Sequence, residues 1–177
     1  MRVLVAYASK HGSTEGIAER LGEDLRGDGH EVDVRPASEA KHPEEYDAFV
    51  IGSAAYAMHW MKEASSFVKK NKDVLADRPV WLFSSGPLGT DLIDKEGHDV
   101  IEASVPKEAT EFAFLHPRDH HVFFGALDFD KLGLTGRMLK KMPATRDAIP
   151  EGDFRDWDDI DRWAHDIGRA LTTEPNE

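Results

Sequence analysis

The chain has 177 residues, with 34 acidic against 22 basic side chains, a formal net charge of −12 and no cysteine. The length suits one domain with a substantial core, and the charge argues against non-specific binding to nucleic acid. Lack of cysteine excludes disulfides, cysteine-ligated zinc, iron–sulfur clusters and thiol nucleophiles, so redox work would need a bound organic cofactor or another metal site.

Apolar runs are only a few residues long, too short to span a bilayer. The first residues read directly as a strand rather than as a signal peptide, so a cytoplasmic protein is expected. One domain over 1–172 is expected, with a frayed tail over 173–177.

Arg2 to Ala8 is β-branched and apolar, too short for a helix, and reads as a buried strand. From Thr14, the residues Ile17, Ala18, Leu21 and Leu25 recur at helical spacing until Gly27 and Gly29. Glu31 to Arg35 alternates like an outer strand. Asp47 to Ser53 is the next apolar strand, followed by a helix face of Met61, Ala64, Val68 and Leu75. Pro79 to Ser84 is a further strand, stopped by Ser85-Gly86-Pro87. Thr90 to Phe114 is the least legible stretch, with one helix expected near Pro106 to Leu115. His121 to Leu127 reads as a fifth strand. A final helix places Trp157, Ile160, Trp163, Ile167 and Leu171 on one face. Strands alternating with helices imply an α/β fold with right-handed crossovers, helices on both faces, and a five-stranded parallel sheet of order 2-1-3-4-5.

In such a sheet, ligands sit beyond the carboxyl ends of the strands, beside the first one. Ser9, Lys10, His11, Gly12, Ser13 and Thr14 occupy that place. Free amides at the helix start, three hydroxyls, and a glycine that lets an anion come close make a phosphate cradle. The order of residues is neither a nucleotide P-loop nor a G-x-G-x-x-G turn. A hydroxyl-rich helix cap without a ligand is the alternative. Two more small-residue loops leave the same edge. One runs through Ser53, Ala54, Ala55, Tyr56, Ala57 and Trp60, and the other through Ser84, Ser85, Gly86, Pro87 and Leu88. Tyr56 and Trp60 are suited to stacking on a planar ring, or else to packing on the following helix.

These loops and their order resemble the flavodoxin family over nearly the whole chain. The stretches YASKHGST, VIGSAAYAMHWMKEASSFV and FFGALDFDKLGLTGRMLKKM resemble more closely the branch related to menaquinone-dependent protoporphyrinogen oxidase. The resemblance implies an FMN cofactor, its phosphate on Ser9 to Thr14 and its ring between the other two loops. It implies an oxidoreductase taking electrons from a reduced organic substrate and passing them to a quinone or a redox protein. A flavodoxin-type carrier between protein partners and a non-redox binding module are the alternatives. An acidic, partly apolar pocket would disfavour an anionic reduced flavin.

No general acid–base pair stands out, and no catalytic residue is assigned. His59 is either a proton relay at the ring edge or a solvated loop histidine. No metal is expected at His116 to His121, because adjacent strand histidines point to opposite faces. Lys131 to Arg146 carries five basic residues and no acid, interleaved with Leu132, Leu134, Met138, Leu139 and Met142. It is either a helix packed on the sheet with its lysines in water, or a surface for an acidic partner or for peripheral contact with the inner face of a membrane. A homodimer is a further expectation.

Overall fold

A computed structural model describes residues 1–141 and 149–173, with backbone alone at 135–137 and 139. The first strand, β1 (Arg2–Ala8), sets the frame because its side chains alternate between two cores. Val3, Val5 and Tyr7 point to one face, while Leu4, Ala6 and Ala8 point to the other. A strand apolar on both sides needs helices on both sides.

The other parallel strands are β2 (Glu31–Pro36), β3 (Ala48–Tyr56), β5 (Val80–Ser85) and β6 (Asp119–Phe123). They run in the order β2-β1-β3-β5-β6. This is the expected five-stranded parallel path, shifted by one in numbering. The shift comes from β4 (His59–Trp60), a two-residue strand that folds back antiparallel on Ala55 and Tyr56. Its two turn residues, Ala57 (φ 49°) and Met58 (φ 66°), are left-handed. Such turns usually announce themselves with Asn-Gly, which is absent here.

Helices α1 (Ser13–Gly27) and the terminal α7 (Trp157–Thr173) cover one face. The other is covered by α2 (Lys62–Lys70), α3 (Lys72–Ala76) and the short turn Ala113–Leu115. Between β5 and β6, the single helix expected near Pro106 to Leu115 is replaced by shorter pieces. These are α5 (Glu108–Glu111) and the Ala113–Leu115 turn, preceded by α4 (Val100–Ala103).

The fifth strand also needs correction. It stops at Phe123, and Ala126–Leu127 becomes β7, paired antiparallel with β8 (Gly152–Asp153). Trp157 does not share the buried face of α7: it is 39% exposed, whereas Ile160, Trp163, Ile167 and Leu171 are buried. The basic stretch forms α6 (Gly133–Lys140), and its continuation at 142–146 lies outside the described residues, as do 174–177 of the expected tail.

Gly52 is where the sheet's face is tightest. Its cross-strand neighbour is Phe83, and a Cβ at Gly52 would collide with that ring. The ring is held in turn by edge contacts with Phe123 and Trp163, each with centroids 6.1 Å away. Overpacking a well-filled core costs about 1–3 kcal/mol. Gly52→Ala should destabilise the protein by that amount in urea titrations, and an unchanged midpoint would contradict this packing.

Candidate functional site

The carboxyl ends of β1, β3, β5 and β6 converge on a cavity of about 210 Å³. Its lining includes Ser9, His11, Ser13 and Thr14 from the first turn, Ala54, Ala55 and Tyr56 from β3, and Ser85, Gly86 and Leu88 after β5. Gly125, Ala126, Leu127 and Leu132 complete it. None of these four is expected from the sequence as a cofactor contact, although all lie in the stretch FFGALDFDKLGLTGRMLKKM that carries the family resemblance. Gly125 sits close to both loops: a Cβ there would stand a tight 3.3 Å from Ser85 Oγ and in ordinary contact with Ser13 Oγ at 3.7 Å.

The first turn is shaped by Gly12, whose φ of 87° suits glycine alone without strain. Its amide donates to Ser9 Oγ at 3.1 Å. The first helical amide to find a partner is that of Gly16, bonded to Gly12 O at 3.1 Å. The amides of Ser13, Thr14 and Glu15 therefore lack intrahelical acceptors, and the positive end of the helix dipole lies with them. Ser13 Oγ accepts from the amide of Ala126 at 2.9 Å. Thr14 is fully buried, and its Oγ1 has no hydrogen-bond partner among the described residues. A buried hydroxyl without a partner costs roughly 1–3 kcal/mol, so something with an acceptor is wanted there. A phosphate oxygen fits that donor set.

Glu15 lies in this first turn but is turned aside. Its Oε1 accepts from the Tyr7 hydroxyl at 2.7 Å, and burial together with this carboxylate raises the tyrosine's pKa, keeping the phenol protonated. Burial and the neighbouring Lys10 push His11 below its ordinary value of 6.5, so it is neutral at pH 7. Among the described residues, no Asp, Glu, Lys or Arg lines the cavity. The expectation of an acidic pocket is thus corrected. The acidity is on the outside, and the described lining is uncharged, with hydroxyls and small residues on one side and apolar side chains on the other.

Several expected residues support the cavity from behind. Ser53 Oγ donates to Ala54 O at 2.8 Å and accepts the Met61 amide at 2.9 Å, so it ties β3 to the start of α2. Trp60 is buried, and its Nε1–H donates to Ser84 Oγ at 2.8 Å. Its ring packs edgewise on Phe112, with centroids 5.5 Å apart, rather than facing the cavity. Pro87 O accepts the Gly125 amide at 2.8 Å. Lys10 and Ala57 are exposed and outside the lining. His59 is half exposed, with Nδ1 3.4 Å from Oε1 of the buried Glu108. The adjacent strand histidines do diverge. His120 Nε2 is 2.9 Å from Ser84 Oγ, and His121 Nε2 is 2.8 Å from Asp159 Oδ2 on the other face.

A larger groove of about 680 Å³ lies between the β2–β3 connection and α2, lined by Lys41, Lys62 and Lys70 among others. It lies away from the ends of β1, β3, β5 and β6, and none of its described lining residues carries a buried unpaired donor. Of the two, the smaller cavity is the one lined by a buried unpaired donor, Thr14 Oγ1.

A flavodoxin-domain family model matches residues 4–148. Over 182 aligned residues the chain is 24% identical to the protoporphyrinogen IX dehydrogenase (quinone) of Escherichia coli K12, covering 99% of this chain and 98% of that protein. Oxidised flavodoxin 2 of Bacillus cereus superposes with a TM-score of 0.57 at 21% identity, covering 97% of this chain and 99% of that one. A flavodoxin variant from Pseudomonas aeruginosa gives 0.60 at 15% identity, with the same coverage.

The Trp60–Ser84–His120 chain generates a pH dependence. Burial lowers the pKa of His120 below 6.5, so the unfolded chain takes up the proton first. This contribution to stability is present above 6.5 and is lost as the pH falls below it. A neutral ring protonated on Nδ1 accepts the Ser84 hydroxyl at Nε2; a protonated ring cannot. Urea unfolding of the cofactor-free protein at pH 7, 6 and 5 should show a steeper loss for the parent than for His120→Gln, which keeps an acceptor but does not titrate. Equal slopes would remove His120 from the account.

Proposed function

The chain belongs to the flavodoxin-domain family, and from that premise we propose that it is an FMN-dependent oxidoreductase of the protoporphyrinogen-oxidase-like branch. It would take electrons from a reduced organic substrate and pass them to a quinone or a soluble acceptor. The observation that carries the cofactor assignment is Thr14 Oγ1, a buried donor without a partner, beside three free amides at a helix start. FMN, when bound, supplies the hydride and electron chemistry.

The chain's own residues bind and orient. Thr14 and the amides of Ser13 to Glu15 take the phosphate, with Ser9, His11 and Gly12 shaping the turn around them. Ala54, Ala55, Ser85 and Gly86 present backbone and small side chains, so a flat polar ring edge can come within hydrogen-bonding distance. Leu88, Leu127, Leu132 and the half-exposed Tyr56 supply apolar walls. Burial raises the pKa of the Tyr56 phenol, so it stays neutral. An uncharged lining disfavours an added negative charge on anything it encloses, without the repulsion that a carboxylate would add.

The approach to the cavity supports an apolar substrate or acceptor. Leu134 and Met138, one turn apart on α6, are 80% and 69% exposed, and Leu132 just before them lines the cavity. Lys131 and Lys141 are exposed beside them, while Lys140 is engaged by Asp130 at 3.4 Å and Glu151 at 3.2 Å. A membrane carrying anionic lipids and quinone suits such a face.

Two measurements test the reading. Thr14→Val keeps shape and removes the donor. It should weaken FMN binding by about 10- to 100-fold, as loss of a charge-assisted hydrogen bond does, while leaving the cofactor-free protein as stable or more so. Unchanged FMN affinity would refute the phosphate assignment. Separately, the FMN-loaded protein should oxidise a porphyrinogen when quinone is offered in anionic vesicles, and Leu134→Asn with Met138→Asn should slow that turnover several-fold without changing FMN affinity. FMN binding with no turnover would leave the carrier reading in its place.

A further inference from the structure

Arg155 lies outside the cavity, just before α7, yet its side chain is only 16% exposed. Its guanidinium is fixed on three sides. Nε and Nη2 donate to the two oxygens of Asp153 at 2.8 and 2.5 Å, a two-pronged fork. Cζ lies 4.4 Å above the Trp157 ring. Nη1 donates to the carbonyl oxygen of Ser13 at 3.3 Å. The group lies so close against the first turn of α1 that a Cβ on Gly16 would collide with Nη1.

These contacts close a circuit. Asp153 in β8 is the register partner of Ala126 in β7. The Ala126 amide donates to Ser13 Oγ at 2.9 Å. Ser13 is therefore gripped at its hydroxyl by β7 and at its carbonyl by Arg155, and the two grips are joined to each other through β7–β8 and the fork. Phe154 N–H adds a tie to Gly125 O at 3.0 Å, beneath the same cavity wall.

We propose that Arg155 is the positioning residue of the phosphate-binding turn, a role that rests on the FMN reading above. It does not touch the phosphate. It holds Ser13, and through Ser13 the adjoining Thr14 hydroxyl and first-turn amides, in the register a phosphate monoester dianion needs. Asp153 neutralises most of the guanidinium's charge, so the effect is geometric more than electrostatic. The Arg155 hydrogen bond in turn holds the Asp153 carboxyl below its usual range. Lysine would keep the charge but could not make the fork and reach Ser13 together.

A role confined to phosphate placement separates two ligands that share a ring. Arg155→Met should weaken FMN binding roughly tenfold, the low end of what losing an outer-shell partner costs a bound group, and leave riboflavin binding unchanged. Arg155→Lys should behave like Arg155→Met, and Asp153→Asn should move the same way by less. Amide shifts of Ser13 to Glu15 on titrating the cofactor-free protein with inorganic phosphate give a second readout, in which the parent responds and Arg155→Met responds more weakly. If FMN and riboflavin weaken equally, or Arg155→Lys restores full FMN affinity, the positioning role is overturned while the FMN reading stands. If the parent binds neither FMN nor phosphate, both are overturned.

Discussion

The site depends on one hydrogen bond between distant parts of the chain, from the amide of Ala126 to Ser13 Oγ. Without it, the turn after β1 and the loop after β6 would be joined only indirectly, through Arg155 and the β7–β8 pair. With it, the first turn of α1 becomes part of the cavity wall, and its amides face a defined space. Gly125 eases the approach, because a Cβ there would crowd Ser85 Oγ at 3.3 Å. The loop after β5 is bound into the same layer through Gly86 N–H to Phe123 O at 3.3 Å and Gly125 N–H to Pro87 O at 2.8 Å. Three loops thus share one hydrogen-bonded layer, and a ligand would meet preformed walls instead of having to order them.

Electrostatics explains how a chain of charge −12 can offer a site for a dianion. The excess acid is outside, and exposed charges more than about 8 Å away are largely screened at physiological salt. The opposing terms act at contact. A full charge pair 4 Å apart near a protein surface is worth about 4 kcal/mol, and the half charge of a helix start about half of that. Near-contact donors therefore outweigh distant repulsion. The acid in the first turn of α1, Glu15, is occupied by the Tyr7 hydroxyl, which donates to its Oε1. Lysine is not needed at the turn, consistent with the exposure of Lys10.

Much of this was legible in sequence because period and punctuation agreed. The two-sided apolar run of β1, the helical spacing of Ile17, Leu21 and Leu25, and the hydroxyl-rich turn between them each point one way. The missed features are those where a contact distant in sequence overrides the local signal. The turn at Ala57-Met58 has no turn residues, and the amide of Lys107 helps hold it by donating to Met58 O at 3.1 Å. His121 to Leu127 is evenly apolar, but the sheet ends at Phe123 because the next residues pair with β8. Trp60 sits in a loop that suggested stacking, yet its N–H found Ser84 in the core. Arg155 gave no signal of its own. Its trace was Gly16, a glycine inside a helical pattern, which usually marks a close approach. Gly22 against Val34 and Gly168 against Asp28 are two more such marks in α1 and α7.

The same field that is screened at the phosphate turn acts on the molecule as a whole. A strongly acidic protein is repelled by an anionic surface in most orientations. On the membrane-contact proposal the face near α6 would differ, since Lys131 and Lys141 are exposed there with Leu134 and Met138, and Lys140 offsets the nearby carboxylates of Asp130 and Glu151. Repulsion from the remaining surface would then act as an orienting force, turning this face toward the bilayer before any apolar side chain inserts. Weak attraction suffices, because about 1 kcal/mol per lysine near the surface adds to the apolar burial of two side chains. That balance would give reversible contact instead of anchoring, which is what the proposed exchange of electrons with a quinone in the bilayer requires.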